Sequence, residues 1–196
     1  MSPARTFRAT SLGALSLLLV ACGGPKAPES APPARSGPLT VHDFLPFENQ
    51  TVLSFVTRDD LGGTSYFVME IERPSESQGE IWIAGRRTRF RISPRRVERA
   101  EGGIWLEEPL EVGHRFPGPF GQTTIESLDR QVTVPAGTFE GCLVTVERSP
   151  AKTAESTYCP GVGLVRIVVE GDSDSEVTRV QSELTGYGPR ADLRSP

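Results

Sequence analysis

The sequence contains few of the residues that carry catalysis or hold metals, with only three cysteines and two histidines among its 196 residues. His42 and His114 stand far apart, so no His-x-His or His-x3-His pair indicates a metal site. There is no Gly-x-Ser-x-Gly motif, no phosphate-binding loop and no dinucleotide fingerprint. We therefore expect no cofactor, no bound metal and no catalytic residue, and a protein that is not an enzyme.

Long apolar runs are also missing. Arg5 and Arg8 precede an apolar stretch that ends at Ala21, and this stretch is shorter than the roughly 20 residues that a membrane-spanning helix needs. It fits the h-region of a secretory signal. The residues Leu19-Val20-Ala21-Cys22 then resemble the lipobox of bacterial lipoproteins. That resemblance implies cleavage before Cys22, a lipid on its thiol and an acylated amino terminus. The alternative is an ordinary secretory signal with an incidental cysteine.

The residue after Cys22 is Gly23 rather than Asp, which resembles the pattern of lipoproteins sent to the outer membrane. We expect a protein of the cell envelope that is held at the outer membrane, on either face, by the acyl chains on Cys22. The predicted order is a signal peptide at 1–21, a lipidated cysteine and Pro/Gly/Ala tether at 22–38, one domain at 39–187 and a frayed tail at 188–196.

An excess of positive charge is absent as well. The chain carries 21 Lys and Arg against 25 Asp and Glu, a formal net charge of −4. Cleavage before Cys22 would also remove Arg5 and Arg8 and leave the remainder more acidic. Nucleic acid is therefore not an expected partner.

No apolar pattern with a period of 3.6 residues runs for three helical turns after the signal segment. Instead, short β-branched and aromatic stretches recur between turn signals from Gln50 to Leu184. This pattern predicts an all-β, mainly antiparallel domain, built as a curved sheet, half-barrel or barrel with few or no helices.

The two remaining cysteines fall on one predicted hairpin. A turn at Ser149-Pro150-Ala151-Lys152 sets Arg148 opposite Thr153 and, in the same register, Cys142 opposite Cys159. Directly opposite side chains are close enough for a disulfide, and exported proteins favour one. We predict a Cys142–Cys159 disulfide; the alternative is two buried free cysteines.

Three phrases resemble a class of uncharacterised bacterial exported proteins, many of them lipoproteins. They are Pro109-Leu110-Glu111-Val112-Gly113, then Val132-Thr133-Val134-Pro135-Ala136-Gly137-Thr138-Phe139-Glu140-Gly141-Cys142, and Tyr158-Cys159-Pro160-Gly161-Val162-Gly163-Leu164-Val165. Cys159 replaces the usual Ala, and His114 stands where a Trp usually follows. The resemblance implies a fold like the open, helix-poor half-barrels of lipoprotein-handling envelope proteins, and it supplies no catalytic residues.

Arginine is concentrated between Gly85 and Arg99. The arginines there are Arg86, Arg87, Arg89, Arg91, Arg95, Arg96 and Arg99. On a strand, Arg87, Arg89 and Arg91 share one face. They form either a solvated face balanced by nearby glutamates or a guanidinium row for an anionic lipid, glycan or other envelope component.

Other patterns support weaker hypotheses. Cys142 with His114 and a carboxylate could act as a nucleophile and base, which gives the alternative function of an envelope hydrolase that uses the His114 loop. A calcium-loop spacing is better interpreted as a polar hairpin tip. Its residues are Asp172, Asp174, Glu176 and Glu183. The large aromatics form either the core or an apolar groove for an acyl chain or a peptide. They are Phe55, Phe67, Trp82, Phe90 and Trp105. We conclude that the most consistent function is a membrane-anchored lipoprotein with a non-catalytic β domain that binds envelope components or assists envelope assembly.

Overall fold

The computed structural model describes residues 37–171 and 178–190. They contain one short helix, α1 (Val41–Phe44), and twelve strands. The strands are β1 (Thr51–Asp59), β2 (Thr64–Ser75), β3 (Gln78–Ile83), β4 (Arg86–Ser93), β5 (Arg96–Arg99), β6 (Ile104–Glu107), β7 (Arg115–Pro117), β8 (Gln122–Val134), β9 (Gly137–Arg148), β10 (Lys152–Cys159), β11 (Gly163–Gly171) and β12 (Arg179–Pro189). No helix in these two ranges is both long enough and apolar enough to cross a membrane.

All twelve strands belong to one antiparallel sheet in the order β6-β5-β4-β3-β2-β1-β12-β11-β10-β9-β8-β7. Strands β1 to β6 form one meander and β7 to β12 a second, and the pairing of β1 with β12 joins them. The free edges, β6 and β7, face each other across the segment at 108–114 that links them. The sheet is thus a nearly closed barrel, and the prediction of a mainly antiparallel β fold with few helices is confirmed.

Irregular pairing bends the strands. The ladder between β8 and β9 slips three times between Ile125 and Val132, and a further bulge lies at Ser54/Phe55 in β1. Bulges increase local twist and bend a strand, which a sheet needs in order to curl. Strand β8 is therefore one long, bent strand. Strands β5 and β7 are only four and three residues long, and the sequence analysis did not identify them.

Side chains fill the inside of the barrel. Phe55 and Phe90 are each only 1% exposed. Phe55 stacks on Phe67 with ring centroids 4.8 Å apart, and Phe90 lies 4.7 Å from Trp105. Burial of each such ring contributes about 2–3 kcal/mol. These four aromatics therefore form the core, as one of the two alternatives predicted, and not an empty apolar groove.

The residues before β1 cover part of this core, which the sequence analysis did not anticipate. Helix α1 begins after Thr40, whose backbone N–H and hydroxyl both donate to Asp43 at 2.8 Å. Phe44 is 1% exposed, and the ring of Phe47 occupies the space that a Cβ on Gly79 would need. The segment at 39–47 contacts β3 on one side and the β10–β11 turn on the other, where the Gly161 N–H donates to the Asp43 carbonyl at 2.7 Å.

The end of the domain differs slightly from its predicted boundary. Strand β12 continues through Pro189, which pairs with Thr51, two residues beyond the expected end at Tyr187. The Arg190 N–H then donates to the Gln50 carbonyl at 2.6 Å. Residues 188–190 are thus held by β1 rather than frayed. The signal peptide, Cys22, the tether up to residue 36, the acidic residues Asp172, Asp174 and Glu176, and residues 191–196 lie outside the described residues.

Candidate functional site

The two cysteines of the β9–β10 hairpin form a disulfide. Arg148 pairs with Thr153 and Val144 with Thr157, as the turn at Ser149-Pro150-Ala151-Lys152 predicts. Two residues further along both strands, Cys142 and Cys159 are bonded and their Cα atoms lie 4.3 Å apart. The predicted Cys142–Cys159 disulfide is confirmed, and the alternative of two free thiols is wrong.

This disulfide removes Cys142 as a nucleophile for the His114 loop, because a disulfide sulfur is not a thiolate. His114 lies between β6 and β7, and its Nε2 is 3.5 Å from a Glu107 carboxylate oxygen. No cluster of three or more His, Cys, Asp or Glu side chains that could hold a metal occurs in residues 37–171 and 178–190. The described side chains around His114 therefore provide no nucleophile–base pair built on a cysteine.

The arginine row on β4 lies on the outer face of the sheet and is interleaved with carboxylates from its neighbours. Arg87 and Arg89 lie 3.4 and 3.6 Å from the same Glu80 oxygen on β3. Arg91 donates to Glu98 on β5 at 2.8 Å. The arginine of each pair is exposed and its glutamate is half-buried, and pairs that reach solvent in this way contribute little to stability. The carboxylates do, however, offset the positive charge that an anionic ligand would need, and binding by Arg87, Arg89 and Arg91 stays a prediction.

Two further arginines of the cluster also have carboxylate partners. Arg96 lies 3.2 Å from Glu98, and Arg95 lies 3.2 Å from Glu108. The glutamates that were expected to balance the arginines thus include Glu98 and Glu108, and the structure adds Glu80 on β3. Glu80 is opposite Arg89 in the β3–β4 ladder, and that register is not evident from sequence alone.

The two tryptophans lie on opposite sides of the sheet. Inside, the Trp105 Nε1–H donates to the Tyr158 hydroxyl at 2.6 Å. Burial raises the pKa of Tyr158 to about 12, against the lowering effect of its hydrogen bonds. Outside, Trp82 faces the Arg87 guanidinium, which lies 5.3 Å from the indole centroid. Trp82 is therefore placed on the outer face of the sheet, where it can contact a ligand.

A cleft of about 650 Å³ lies on the outer face of β2 and β3. The side chains of Tyr66, Val68, Glu70 and Glu72 follow one another on this face of β2, because alternate residues of a strand point the same way. Tyr66 is 76% exposed and Val68 45%. Trp82 is opposite Glu70 in the β2–β3 ladder. The cleft thus has an aromatic and apolar end and an acidic end.

Some polar groups at this cleft have no hydrogen-bond or ion-pair partner among the described residues. Glu70 forms an ion pair with Arg190 at 3.0 Å, whereas Glu72 has no ion pair among the described residues. The indole Nε1–H of Trp82 is buried without a hydrogen-bond partner in that part of the chain. Sequence reasoning found Trp82 but missed Tyr66 and Glu72, which alternate along β2, and Arg190, which reaches this face only because β1 pairs with both β2 and β12.

No protein-family model matches the chain, and no curated protein matches it. Among solved structures, it is similar to a Bacteroides fragilis protein described as exported and as having a YmcC-like fold, with 12% identity and a TM-score of 0.46 over 72% of this chain and 96% of that chain. It is also similar to a Parabacteroides distasonis protein described as a lipoprotein, with 14% identity and a TM-score of 0.35 over 72% of this chain and 98% of that chain.

Proposed function

We propose that this protein is a lipid-anchored lipoprotein of the bacterial envelope whose non-catalytic β domain binds an envelope glycan. The observation that carries the proposal is the outer cleft with Tyr66 and Val68 at one end and Glu70 and Glu72 at the other. Its volume of about 650 Å³ falls within the range of small-molecule sites, which is roughly 300–1,000 Å³.

The chemistry of the cleft suits a sugar. A pyranose ring has an apolar C–H face, which can stack on the exposed Tyr66 ring, and an edge of hydroxyls. A hydroxyl both donates and accepts, so it can serve Glu72, which only accepts, and Arg190, which only donates. An N-acetylated amino sugar adds an amide, which also both donates and accepts hydrogen bonds.

Other envelope components fit this cleft less well. An acyl chain would have to lie against two carboxylates and remove them from water, which is unfavourable without compensating hydrogen bonds. An anionic polymer would meet Glu70 and Glu72. A peptide cannot add a strand here, because β2 and β3 are each paired on both sides and have no free backbone edge.

The anchor is the second half of the proposal and rests on Cys22 and its preceding lipobox. Several acyl chains on one cysteine hold a protein at a membrane, whereas a single chain does so only marginally. Cells grown with an alkyne fatty acid should label the native protein, and Cys22→Ala should remove the label and release the protein from the outer-membrane fraction. Labelling that survives Cys22→Ala would contradict the anchor.

Binding can be measured by the intrinsic fluorescence of the purified full-length protein in a neutral detergent, since the chain has only two tryptophans. Trp82 lies in the cleft and Trp105 inside the barrel. Titration with an N-acetylglucosamine oligomer should change the emission of the native protein in a saturable manner. Trp82→Phe should abolish the change, because Trp105 is not in contact with the cleft.

Tyr66→Ala should weaken binding about three- to tenfold, through loss of the stacking surface. Tyr187→Ala is the matched control, because Tyr187 is 50% exposed and is not part of the cleft lining. Equal affinity of Tyr66→Ala and the native protein would exclude the cleft as the glycan site. Saturable binding of a cationic or apolar peptide in place of the oligomer would overturn the choice of ligand.

A further inference from the structure

A second, smaller hollow lies where β8, β9, β10 and β11 run side by side, separate from the cleft on β2 and β3. Its volume is about 110 Å³, which suits a single small polar group rather than a ring. Two arginines, Arg130 and Arg166, line it together with Glu155, Thr157 and Thr133. The hollow therefore brings two guanidinium groups to one place with one carboxylate beside them.

Arg166 is incompletely paired although carboxylates are near. In the β11–β12 ladder it is directly opposite Glu183, but Glu183 accepts a hydrogen bond from Arg58 at 3.1 Å. The nearest contact of Arg166 with Glu155 is 3.8 Å, which is longer than a hydrogen bond. Its Nε–H is buried and has no hydrogen-bond partner among the described residues. A buried donor without a partner costs free energy, roughly 1–3 kcal/mol, and a ligand oxygen would recover it.

Arg130 supplies the second group from the opposite side. It is exposed, lies opposite Cys142 in the β8–β9 ladder, and forms no ion pair within residues 37–171 and 178–190. The register of the β8–β9 ladder shifts on both sides of Arg130. The hollow follows from this bulged stretch of β8.

We propose that the hollow binds an oxyanion of the phosphate type, either free phosphate or the phosphate group of an ester. Guanidinium groups present forked N–H donors that match such oxyanions. A tetrahedral phosphate has enough acceptor oxygens to bridge Arg130, Arg166 and a threonine hydroxyl, whereas a planar carboxylate is satisfied by one guanidinium. Glu155 lowers the affinity for a dianion by charge repulsion and keeps the empty hollow closer to neutral.

The test is equilibrium dialysis of the full-length protein in neutral detergent against radiolabelled inorganic phosphate, with ionic strength held constant by sodium chloride. Arg166→Gln should bind phosphate about tenfold more weakly, and Arg130→Gln about fivefold more weakly. Glu155→Gln should bind about threefold more tightly, because it removes the repelling charge. Arg115→Gln, an exposed arginine on β7, is the charge-matched control and should bind as the native protein does.

A parallel titration with glycerophosphate distinguishes the sources of the group. Tighter binding of the ester than of phosphate would point to a lipid headgroup or other phosphate ester, and weaker binding would point to the free ion. Arg130 is on the surface, so its replacement leaves the core intact and the test does not depend on the folding of Arg166→Gln. Absence of phosphate binding, or equal binding by the Arg130, Arg166 and Arg115 variants, would overturn the proposal.

Discussion

Two groups of arginines on this barrel look alike in charge but differ in their partners. The row of Arg87, Arg89 and Arg91 on β4 is conspicuous in the sequence, and Glu80 and Glu98 from the adjacent strands lie within 3.6 Å of its guanidinium groups. Arg130 and Arg166 are inconspicuous and lie 36 positions apart, yet they share a hollow without a carboxylate within hydrogen-bond distance of either one among the described residues. Arginine density along the chain and capacity to bind an anion are therefore separate properties.

The difference arises from the register of the sheet. A strand with arginines at alternate positions puts them on one face, and antiparallel neighbours then place their own outward residues between them. In the row, these neighbours are glutamates. Glu183, which is opposite Arg166, is bound to Arg58 instead, and around Arg130 the pairing is irregular. The guanidinium groups without a close carboxylate are thus those of Arg130 and Arg166, whereas those of the row are paired with glutamates.

The largest expected effect is that of removing the disulfide from the half of the barrel that contains the hollow, which is formed by β7 to β12. The Cys142–Cys159 disulfide joins β9 and β10, whose Val144 and Thr157 line the hollow. Replacing both cysteines with Ala should lower the free energy of unfolding by about 2–4 kcal/mol and weaken phosphate binding. Chemical denaturation with and without reductant measures the first effect, and dialysis the second. An unchanged denaturation midpoint would show that the bond does not constrain this half.

The next largest effect is expected when the arginines of the row lose their carboxylate partners. The double variant Glu80→Gln with Glu98→Gln removes both negative charges but keeps side chains of the same size that can still accept hydrogen bonds. The double variant should bind vesicles of anionic lipid about tenfold more tightly than native protein at low salt, and the gain should vanish at high salt because exposed charges are screened. Glu126→Gln with Glu170→Gln, two exposed glutamates elsewhere on the barrel, is the matched control. Similar gains in both double variants would mean that net charge, rather than the row, is responsible.

The smallest expected effect is the change in stability when an exposed ion pair of the row is lost. Arg91→Gln removes an ion pair whose arginine side chain is 62% exposed, and such pairs contribute roughly 0–1 kcal/mol. We expect a change in the denaturation midpoint close to the experimental error, and the same for Arg130→Gln. A clearly destabilised Arg91→Gln protein would mean that the row has a structural role that its exposure does not suggest.

Features that depend only on segments adjacent in the chain could be predicted from the sequence. Hairpin register follows from the turn, so the pairing of Arg148 with Thr153 and the disulfide could be predicted from the sequence around Pro150. Alternation likewise placed Arg87, Arg89 and Arg91 on one face. These inferences need only one turn or one strand, where local geometry decides the outcome.

Features that join distant segments could not be predicted in this way. Arg190 meets Glu70 only because β12 returns to β1, and Arg130 and Arg166 line one hollow only because the sheet places two strands, β9 and β10, between β8 and β11. Phe44 and Phe47 cover part of the core, and their positions likewise depend on how the barrel closes. Bulges added to the difficulty, because each one changes the face on which later residues point.

The most direct test of the contrast between the two arginine groups is a pair of phosphate titrations at one ionic strength. One uses Arg130→Gln with Arg166→Gln, and the other uses Arg87→Gln with Arg89→Gln and Arg91→Gln. We predict that the hollow variant loses roughly fiftyfold in affinity, whereas the row variant stays within about twofold of the native protein although it has lost more positive charge. A larger loss in the row variant than in the hollow variant would contradict the account.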